Sequence, residues 1–237
     1  MLRGRFASVL ESQSRDDFRD EVVRFVQGLG FTTMGAMAVI DHGIGRSDFI
    51  TVHNAPTGYQ EALQHTASAR RDPVIQHCRR QAVPIIWDQA TYTAQGLGEM
   101  WEEQARFGYV TGIAMALHLP EGRHFVLGVE RDRPLPEDHG ELTRIVADLQ
   151  LFAVYAQDVA LRVLTPPADP PDQPKLTPRE AEVLRWTMEG KTSWEVGSIL
   201  GITERTVVMH VTNAVQKLGA TNKHHAVVKA LRLGLIQ

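Results

Sequence analysis

Five of the twelve prolines in this chain lie within ten residues, 165–174, and this cluster constrains the fold more than any other feature. Proline lacks a backbone N–H and fixes φ, so neither a helix nor a sheet strand runs through such a segment. We expect a semi-rigid, extended linker over residues 166–174. The chain is therefore predicted to form a larger domain over residues 1–165 and a smaller domain over residues 175–237.

Formal charge differs between the two predicted domains. Residues 1–174 hold 16 Arg, no Lys and 23 Asp and Glu, for a net charge of −7, whereas residues 175–237 hold 9 Lys and Arg against 5 Glu, for a net charge of +4. A basic domain beside an acidic one indicates that the basic part meets a polyanion, although chance drift in so short a segment gives the same pattern.

Composition excludes several other classes of protein. The 237 residues are 43% hydrophobic and 22% charged, so a folded chain rather than a disordered one is expected. No apolar run approaches the ~20 residues of a membrane span, and the first residues lack the apolar stretch of a secretory signal. The one cysteine, Cys78, allows neither an intrachain disulfide nor a cysteine-based zinc site. We expect a cytoplasmic protein with no membrane contact, no metal and no cofactor.

The larger domain alternates helical and strand patterns. Helices are predicted over residues 14–27, 58–69, 74–81, 97–107 and 138–163, and strands over residues 34–40, 48–53, 83–87, 113–119 and 124–130. The last two strands are separated by Pro120-Glu121-Gly122-Arg123, which is typical of a hairpin. A mainly antiparallel five-stranded sheet with helices on both faces would bury these elements, so we predict an α-β-α sandwich of the α+β class.

The smaller domain shows four helices with explicit start signals. Thr177-Pro178-Arg179-Glu180 combines an N-cap, a proline at the first helical position and a glutamate at the third. The next three helices begin after the capping residues Thr192, Thr203 and Asn222. Two short helices joined by a tight, glycine-containing turn predict a helix-turn-helix within an all-α, four-helix domain.

The third helix of the smaller domain has one apolar stripe and one free face. The stripe recurs at spacings of four, three and four: Val207, Val211, Ala214 and Leu218. The free face fits the major groove of DNA, where polar side chains contact bases or phosphates and apolar ones contact thymine methyls. The candidate DNA contacts on and beside this face are Arg205, Val208, Met209, Thr212, Asn213, Gln216 and Lys217, with Lys191 before the second helix. Capped helical bundles also occur in proteins that bind no DNA.

Residues 176–230 resemble the LuxR-type DNA-binding domain over its whole length. The matching positions are Glu180, Leu184, Gly190-Lys191-Thr192, Thr206-Val207, His210 and Lys217-Leu218. The chain departs from the family pattern at Val208, where lysine is common. The resemblance implies that the fourth helix pairs two domains into a homodimer and that double-stranded promoter DNA is the partner.

Residues 1–165 resemble the autoinducer-binding domain of acyl-homoserine-lactone receptors. The resemblance rests on these segments: Asp72-Pro73-Val74, Pro84-Ile85-Ile86-Trp87, Trp101-Glu102-Glu103-Gln104-Ala105 and Gly112-Ile113. A phosphoreceiver, another sensor found before LuxR-type domains, needs a lysine near its aspartate, and residues 1–174 contain none. The resemblance thus implies a small-molecule autoinducer as ligand.

The resemblance also implies which residues would bind this ligand. Asp72 matches the carboxylate that accepts the amide N–H, and Tyr59 stands where the family has a tryptophan that donates to the lactone carbonyl. Leu63 and Ala55 replace two usual tyrosines. The remaining candidate pocket residues are Trp87 and Trp101, which would wall the head group, and Gly112.

The residues allow alternative interpretations. Asp72 precedes Pro73 and could cap the following helix, which is compatible with ligand binding, and the two tryptophans could be plain core. We predict a quorum-sensing transcription factor that binds inverted-repeat DNA as a dimer and is not an enzyme. One alternative is a LuxR-type orphan receptor for a non-lactone molecule. The other is an acyl-lactone-processing enzyme, for which no activated nucleophile or metal cluster is evident.

Overall fold

The computed structural model of the protein describes residues 6–43, 46–59, 71–165 and 174–237. Contacts divide the chain into two compact units, Met1–Pro167 and Ala168–Gln237. Most of the helix predicted over residues 58–69, the candidate Leu63 and the linker over residues 166–173 lie outside the described residues.

The described part of the first unit contains five helices and five strands. The helices are α1 (Arg15–Gly28), α2 (Pro73–Arg80), α3 (Gln89–Thr93), α4 (Gly98–Ala105) and α5 (His139–Leu164). The strands are β1 (Thr33–Gly43), β2 (Arg46–His53), β3 (Ile85–Trp87), β4 (Thr111–Leu119) and β5 (Arg123–Arg131). A 3-10 turn, Pro120–Gly122, joins β4 to β5 and confirms the predicted hairpin.

One of these helices, α3, is not predicted by the sequence pattern. It has five residues, which is too few for an apolar periodicity to show. Its start depends on a capping box in which Asp88 accepts from the backbone of Thr91 and the Thr91 hydroxyl accepts from the backbone of Asp88. The third strand is also shorter than predicted, since it begins at Ile85 rather than at residue 83.

The five strands form one antiparallel sheet in the order β2-β1-β5-β4-β3, as the strand patterns predicted. Helices α1 and α5 cover one face, and the ring of Phe25 stacks on that of Phe152 at 4.0 Å. Helix α2 packs on the other face, against β3 and β4. The fold is therefore the predicted α-β-α sandwich, and its larger apolar core lies under α1 and α5.

The second unit consists of α6 (Pro178–Met188), α7 (Ser193–Leu200), α8 (Glu204–Lys217) and α9 (Lys223–Arg232). The predicted caps at Thr177, Thr192, Thr203 and Asn222 are confirmed, since each side chain accepts a backbone N–H from the first turn of its helix. Helices α7 and α8 form the helix-turn-helix. A Cβ at Gly197 would lie 2.8 Å from the carbonyl oxygen of Ile202, so glycine there allows α7 to approach the turn closely.

A buried carboxylate joins α6 to α8. Glu180 is 3% exposed, and its Oε2 accepts from the Thr177 backbone N–H at 2.8 Å and from Lys217 Nζ at 2.8 Å. Burial disfavours the charged form of Glu180 and so raises its pKa. The hydrogen bonds and the charge of these donors lower the pKa by more, and the net pKa lies below its usual range. The cap and the ion pair therefore stabilise the folded second unit at pH values above the usual pKa range of a glutamate. This stabilisation is lost as the pH falls through the lowered pKa of Glu180.

The change Glu180→Gln should destabilise the second unit by about 1–3 kcal/mol, because Lys217 then has no charged partner. Hydrogen exchange of the α6 and α8 amides in the full chain measures this loss. The matched control is Glu182→Gln on the same helix, whose exposed carboxylate pairs with Arg179 at 2.7 Å and should contribute less than about 0.5 kcal/mol. Equal exchange rates in the two variants would show that the buried contact contributes no more than the exposed one.

Candidate functional site

A cluster of aromatic side chains covers the sheet face opposite α1 and α5. Five segments supply the rings: the segment after β2, then β3, α3, α4 and the turn before β4. We call it the aromatic box and define it as Tyr59, Trp87, Tyr92, Trp101 and Tyr109. Tyr59 stacks on Tyr109 with ring centroids 4.0 Å apart, so residues distant in sequence meet here. Burial raises the pKa of the three tyrosines above their usual value, which keeps their hydroxyl groups protonated.

Asp72 connects α2 to the aromatic box. Its Oδ1 accepts from the backbone N–H groups of Val74 at 2.8 Å and Ile75 at 3.0 Å, which confirms the predicted cap. Its Oδ2 accepts from the Tyr92 hydroxyl at 3.2 Å. Burial raises the pKa of Asp72, and these hydrogen bonds oppose the rise. The side chain of Gln104 also hydrogen-bonds this carboxylate, so a donor from a molecule in the box would share Asp72 with Tyr92 and Gln104.

Two residues that the sequence analysis missed complete this network. Tyr92 is almost fully buried at the end of α3, and Gln104 is buried on α4. Gln104 Nε2 donates to the Tyr92 hydroxyl at 3.4 Å. The pair orients the hydroxyl that Asp72 holds. No local pattern marks either residue, although the Asp88 to Thr91 capping box was a signal for the helix that carries Tyr92.

The predicted pocket residues Trp87 and Gly112 lie against each other on neighbouring strands. A Cβ at Gly112 would lie 2.6 Å from Trp87 Cζ2 and 2.6 Å from the carbonyl oxygen of Val129. Glycine at this position therefore makes room for the buried indole. Gly112 contributes to the box by allowing Trp87 to lie where it does. Trp101, the other predicted wall, is held by a hydrogen bond from its Nε1 to the carbonyl of Val110 at 2.9 Å.

The burial pattern of helix α8 agrees with its predicted apolar stripe. Val207, Ala214 and Leu218 are buried and Val211 is half-buried, whereas Arg205, Thr212 and Gln216 are exposed. Val208 and Met209 are 48% and 49% exposed, which leaves two large apolar side chains in water on one helix face. Asn213 is half-buried at the flank.

The two candidate lysines differ in their surroundings. The Lys217 side chain is 39% exposed, but its ammonium pairs with Glu180 at 2.8 Å, so a phosphate would have to share it with that carboxylate. Lys191 is half-buried just before α7, in a helix N-terminal region where backbone N–H groups also favour anions.

Within the residues that the structure describes, no three His, Cys, Asp or Glu side chains come together as metal ligands. In the same part of the chain, no helix is both long enough and apolar enough to cross a membrane.

The change Gly112→Ala should destabilise the sheet by about 1–3 kcal/mol, because the new methyl group overlaps the Trp87 ring and a strand carbonyl. The matched control is Gly35→Ala on β1, where no described atom lies within 4 Å of the added Cβ. We expect no loss there, since alanine restricts the unfolded strand more than glycine does. Hydrogen exchange of β3 and β4 amides distinguishes the two variants, and equal protection would contradict the steric role of Gly112.

Both units match known protein families. Residues 14–160 match the family described as "Autoinducer binding domain", and residues 174–230 match "Bacterial regulatory proteins, luxR family". The chain is 31% identical to the transcriptional activator protein BjaR1 of Bradyrhizobium diazoefficiens, over 93% of this chain and 98% of that one. It is 32% identical to the HTH-type quorum sensing-dependent transcriptional regulator RpaR of Rhodopseudomonas palustris, over 90% of this chain and 85% of that one.

The fold also has a close match among solved structures. Escherichia coli SdiA has the same fold, with a TM-score of 0.74 at 24% identity over 97% of this chain and 95% of that one. These matches identify a transcriptional regulator rather than an enzyme. The chain belongs to the LuxR family of bacterial regulatory proteins and carries an autoinducer-binding domain ahead of the family's DNA-binding domain.

Proposed function

We propose that this regulator binds an acyl-homoserine lactone, or a closely related small molecule, in the aromatic box and binds inverted-repeat promoter DNA as a homodimer in the cytoplasm. The observation that carries the ligand assignment is the Asp72 carboxylate, a hydrogen-bond acceptor that lies at the edge of the buried aromatic rings and is shared by Tyr92 and Gln104. The exposed apolar and polar side chains on α8 support the DNA assignment.

We assign one function to each predicted segment of the chain. Residues 1–165 sense the signal, residues 166–174 link the domains and residues 175–237 bind DNA. The two compact units and the two separate family matches support this division, because each family match lies within one unit.

The chemistry of the box suits the polar head of such a ligand. A buried amide N–H or carbonyl that loses water and gains no partner costs about 1–3 kcal/mol. Asp72 would accept from the amide N–H and Tyr59 would donate to a carbonyl, while Trp87 and Trp101 form the walls. Leu63 and Ala55 make the tail side more apolar than the family pattern, so polar substituents on the tail should bind poorly.

A second candidate, an orphan receptor for a non-lactone molecule, is favoured by one observation. Tyr59 stands at the position where the family pattern has a tryptophan, and its ring is committed to a stack with Tyr109. A phenol O–H at this position donates a hydrogen bond from a different point than an indole N–H would. The two candidates differ in the head group and share the pocket.

On DNA, the face of α8 would lie in the major groove. Arg205 and Gln216 can hydrogen-bond bases or phosphates, and Thr212 can contact a base edge. Val208 and Met209 would contact thymine methyls, Asn213 would lie at the groove edge, and Lys191 would contact a phosphate. Lys217 would reach a phosphate only while shared with Glu180.

Selection of binding sites from random duplexes tests the DNA assignment. The parent should select an inverted repeat with half-sites about one helical turn apart, and its affinity should fall ~10³-fold or more between 50 and 200 mM salt. Arg205→Ala or Thr212→Ala should change the selected sequence, because base contacts carry specificity. Lys191→Ala should select the same sequence with weaker binding. A protein whose binding depended on neither salt nor sequence would contradict the proposal.

The change Asp72→Asn tests the ligand assignment, because asparagine caps a helix as well as aspartate does. It should lower the affinity for N-octanoyl-homoserine lactone by more than ~1.5 kcal/mol, the loss of a charge-assisted hydrogen bond. Tyr59→Phe should lower it by ~1 kcal/mol, and Tyr59→Trp should favour ordinary homoserine lactones. The readout is thermal shift or reporter activation across acyl lactones and unrelated small molecules.

The matched control is Asp88→Asn, because Asp88 also caps a helix but is exposed on α3. We expect it to leave the affinity unchanged. If every ligand that acts on the parent acted equally on Asp72→Asn, the head group would lie elsewhere.

A further inference from the structure

Glu130 lies on the face of the sheet that carries the aromatic box. Its register partners are Thr33 on β1 and Gly112 on β4, and Gly112 is the residue that the Trp87 ring covers. Alternation along β5 sends the neighbouring Val129 into the core under α1 and α5. Glu130 is therefore a carboxyl group in the central strand of the sheet, beside the box.

The carboxyl group has an oxygen with no partner. Glu130 Oε2 is closed off from solvent and makes no hydrogen bond to any residue that the structure describes. Glu130 Oε1 lies over Gly128, only 2.9 Å from where a Cβ would be. The carboxyl group thus extends over a part of the sheet without side chains, and one of its two oxygens has no partner among the described residues.

The groups that face this carboxyl group are uncharged. They come from several elements around it: Thr33 on β1, Tyr59, Tyr92 on α3 and Tyr109 before β4. No described cation compensates a negative charge at Glu130. Burial raises the pKa of Glu130 to about 8, against a hydrogen bond from Thr33 that lowers it. Near neutral pH the group is an acid whose O–H has no acceptor.

We infer that Glu130, as a neutral acid, donates its O–H to the ring carbonyl of the ligand's head group beside Tyr59. This inference rests on the proposed function, because it needs the head group to occupy the aromatic box. A buried donor without an acceptor is unfavourable, and a cyclic ester supplies a carbonyl of the right chemistry.

A matched pair of probes isolates that ring carbonyl. N-octanoyl-homoserine lactone and N-cyclopentyloctanamide share the acyl chain, the amide and the ring size, and only the first has a ring carbonyl. Affinities of the full chain for both are measured by calorimetry. In Glu130→Leu, the ratio of the affinity for the lactone to the affinity for the amide should fall by about 3–10-fold relative to the parent. This change corresponds to the loss of one neutral hydrogen bond. Glu130→Gln retains an N–H donor and should keep most of the ratio.

The pH dependence separates a proton donor from a group that merely fills space. As the pH rises through about 8, Glu130 loses its proton and its carboxylate repels a carbonyl oxygen. The affinity of the parent for the lactone should therefore fall about tenfold per pH unit above that value, with ring integrity checked by chromatography. Glu130→Gln should show a flat profile, and N-cyclopentyloctanamide should show a weaker dependence than the lactone.

The outcomes distinguish the two proposals. An unchanged affinity ratio in Glu130→Leu, together with superimposable pH profiles for the parent and Glu130→Gln, would overturn the role of Glu130 and leave the proposed function intact. Asp72→Asn should weaken both probes by similar factors, because both contain the amide. If the parent bound neither probe, the lactone assignment and the role of Glu130 would both be wrong.

Discussion

Alternation of side chains along β5 separates folding from ligand binding in the first unit. Phe125, Leu127 and Val129 point into the large core under α1 and α5. The residues that alternate with them, Val126, Gly128 and Glu130, point to the other face. Since the core face buries most of the apolar surface of the domain, the opposite face can carry glycines and a carboxyl group with one unpaired oxygen without unfolding the sheet. The same strand therefore supports both a stable fold and a polar group beside the aromatic box.

Local chemistry made much of the fold predictable. The caps at Asp72, Thr177, Thr192, Thr203 and Asn222 involve partners within three residues, so the sequence alone shows both groups of each hydrogen bond. The apolar stripe of α8 was predictable for a similar reason, because helical spacing fixes which residues share a face. The direct signals failed where a contact joins distant segments. Tyr92 lies on a helix too short to show periodicity. The burial of Glu130 depends on the fold, which also brings together Tyr59 and Tyr109 from distant parts of the sequence.

Composition overestimates the positive charge that the second unit can offer to DNA. Lys217 is held by the buried Glu180, and Lys229 Nζ donates to the carbonyls of Leu218 and Gly219 at 3.0 Å each. These two of the five lysines serve the packing of α6, α8 and α9. A small domain with a limited apolar core gains stability from such ties. The exposed Arg205 and the apolar pair Val208 and Met209 therefore carry more of the recognition than a count of charges suggests.

A binding site with unused donors and acceptors also links ligand to stability. Beside the box lies Glu130, whose Oε2 has no partner among the described residues, and Asp72 is a buried acceptor at the edge of the box. A ligand that satisfies both groups binds only the folded unit, so it stabilises that unit by about 2.7 kcal/mol when present at 100 times its Kd. This gain is a large fraction of the stability of an ordinary domain. Under the proposed function, ligand concentration can therefore raise the folded fraction of the first unit.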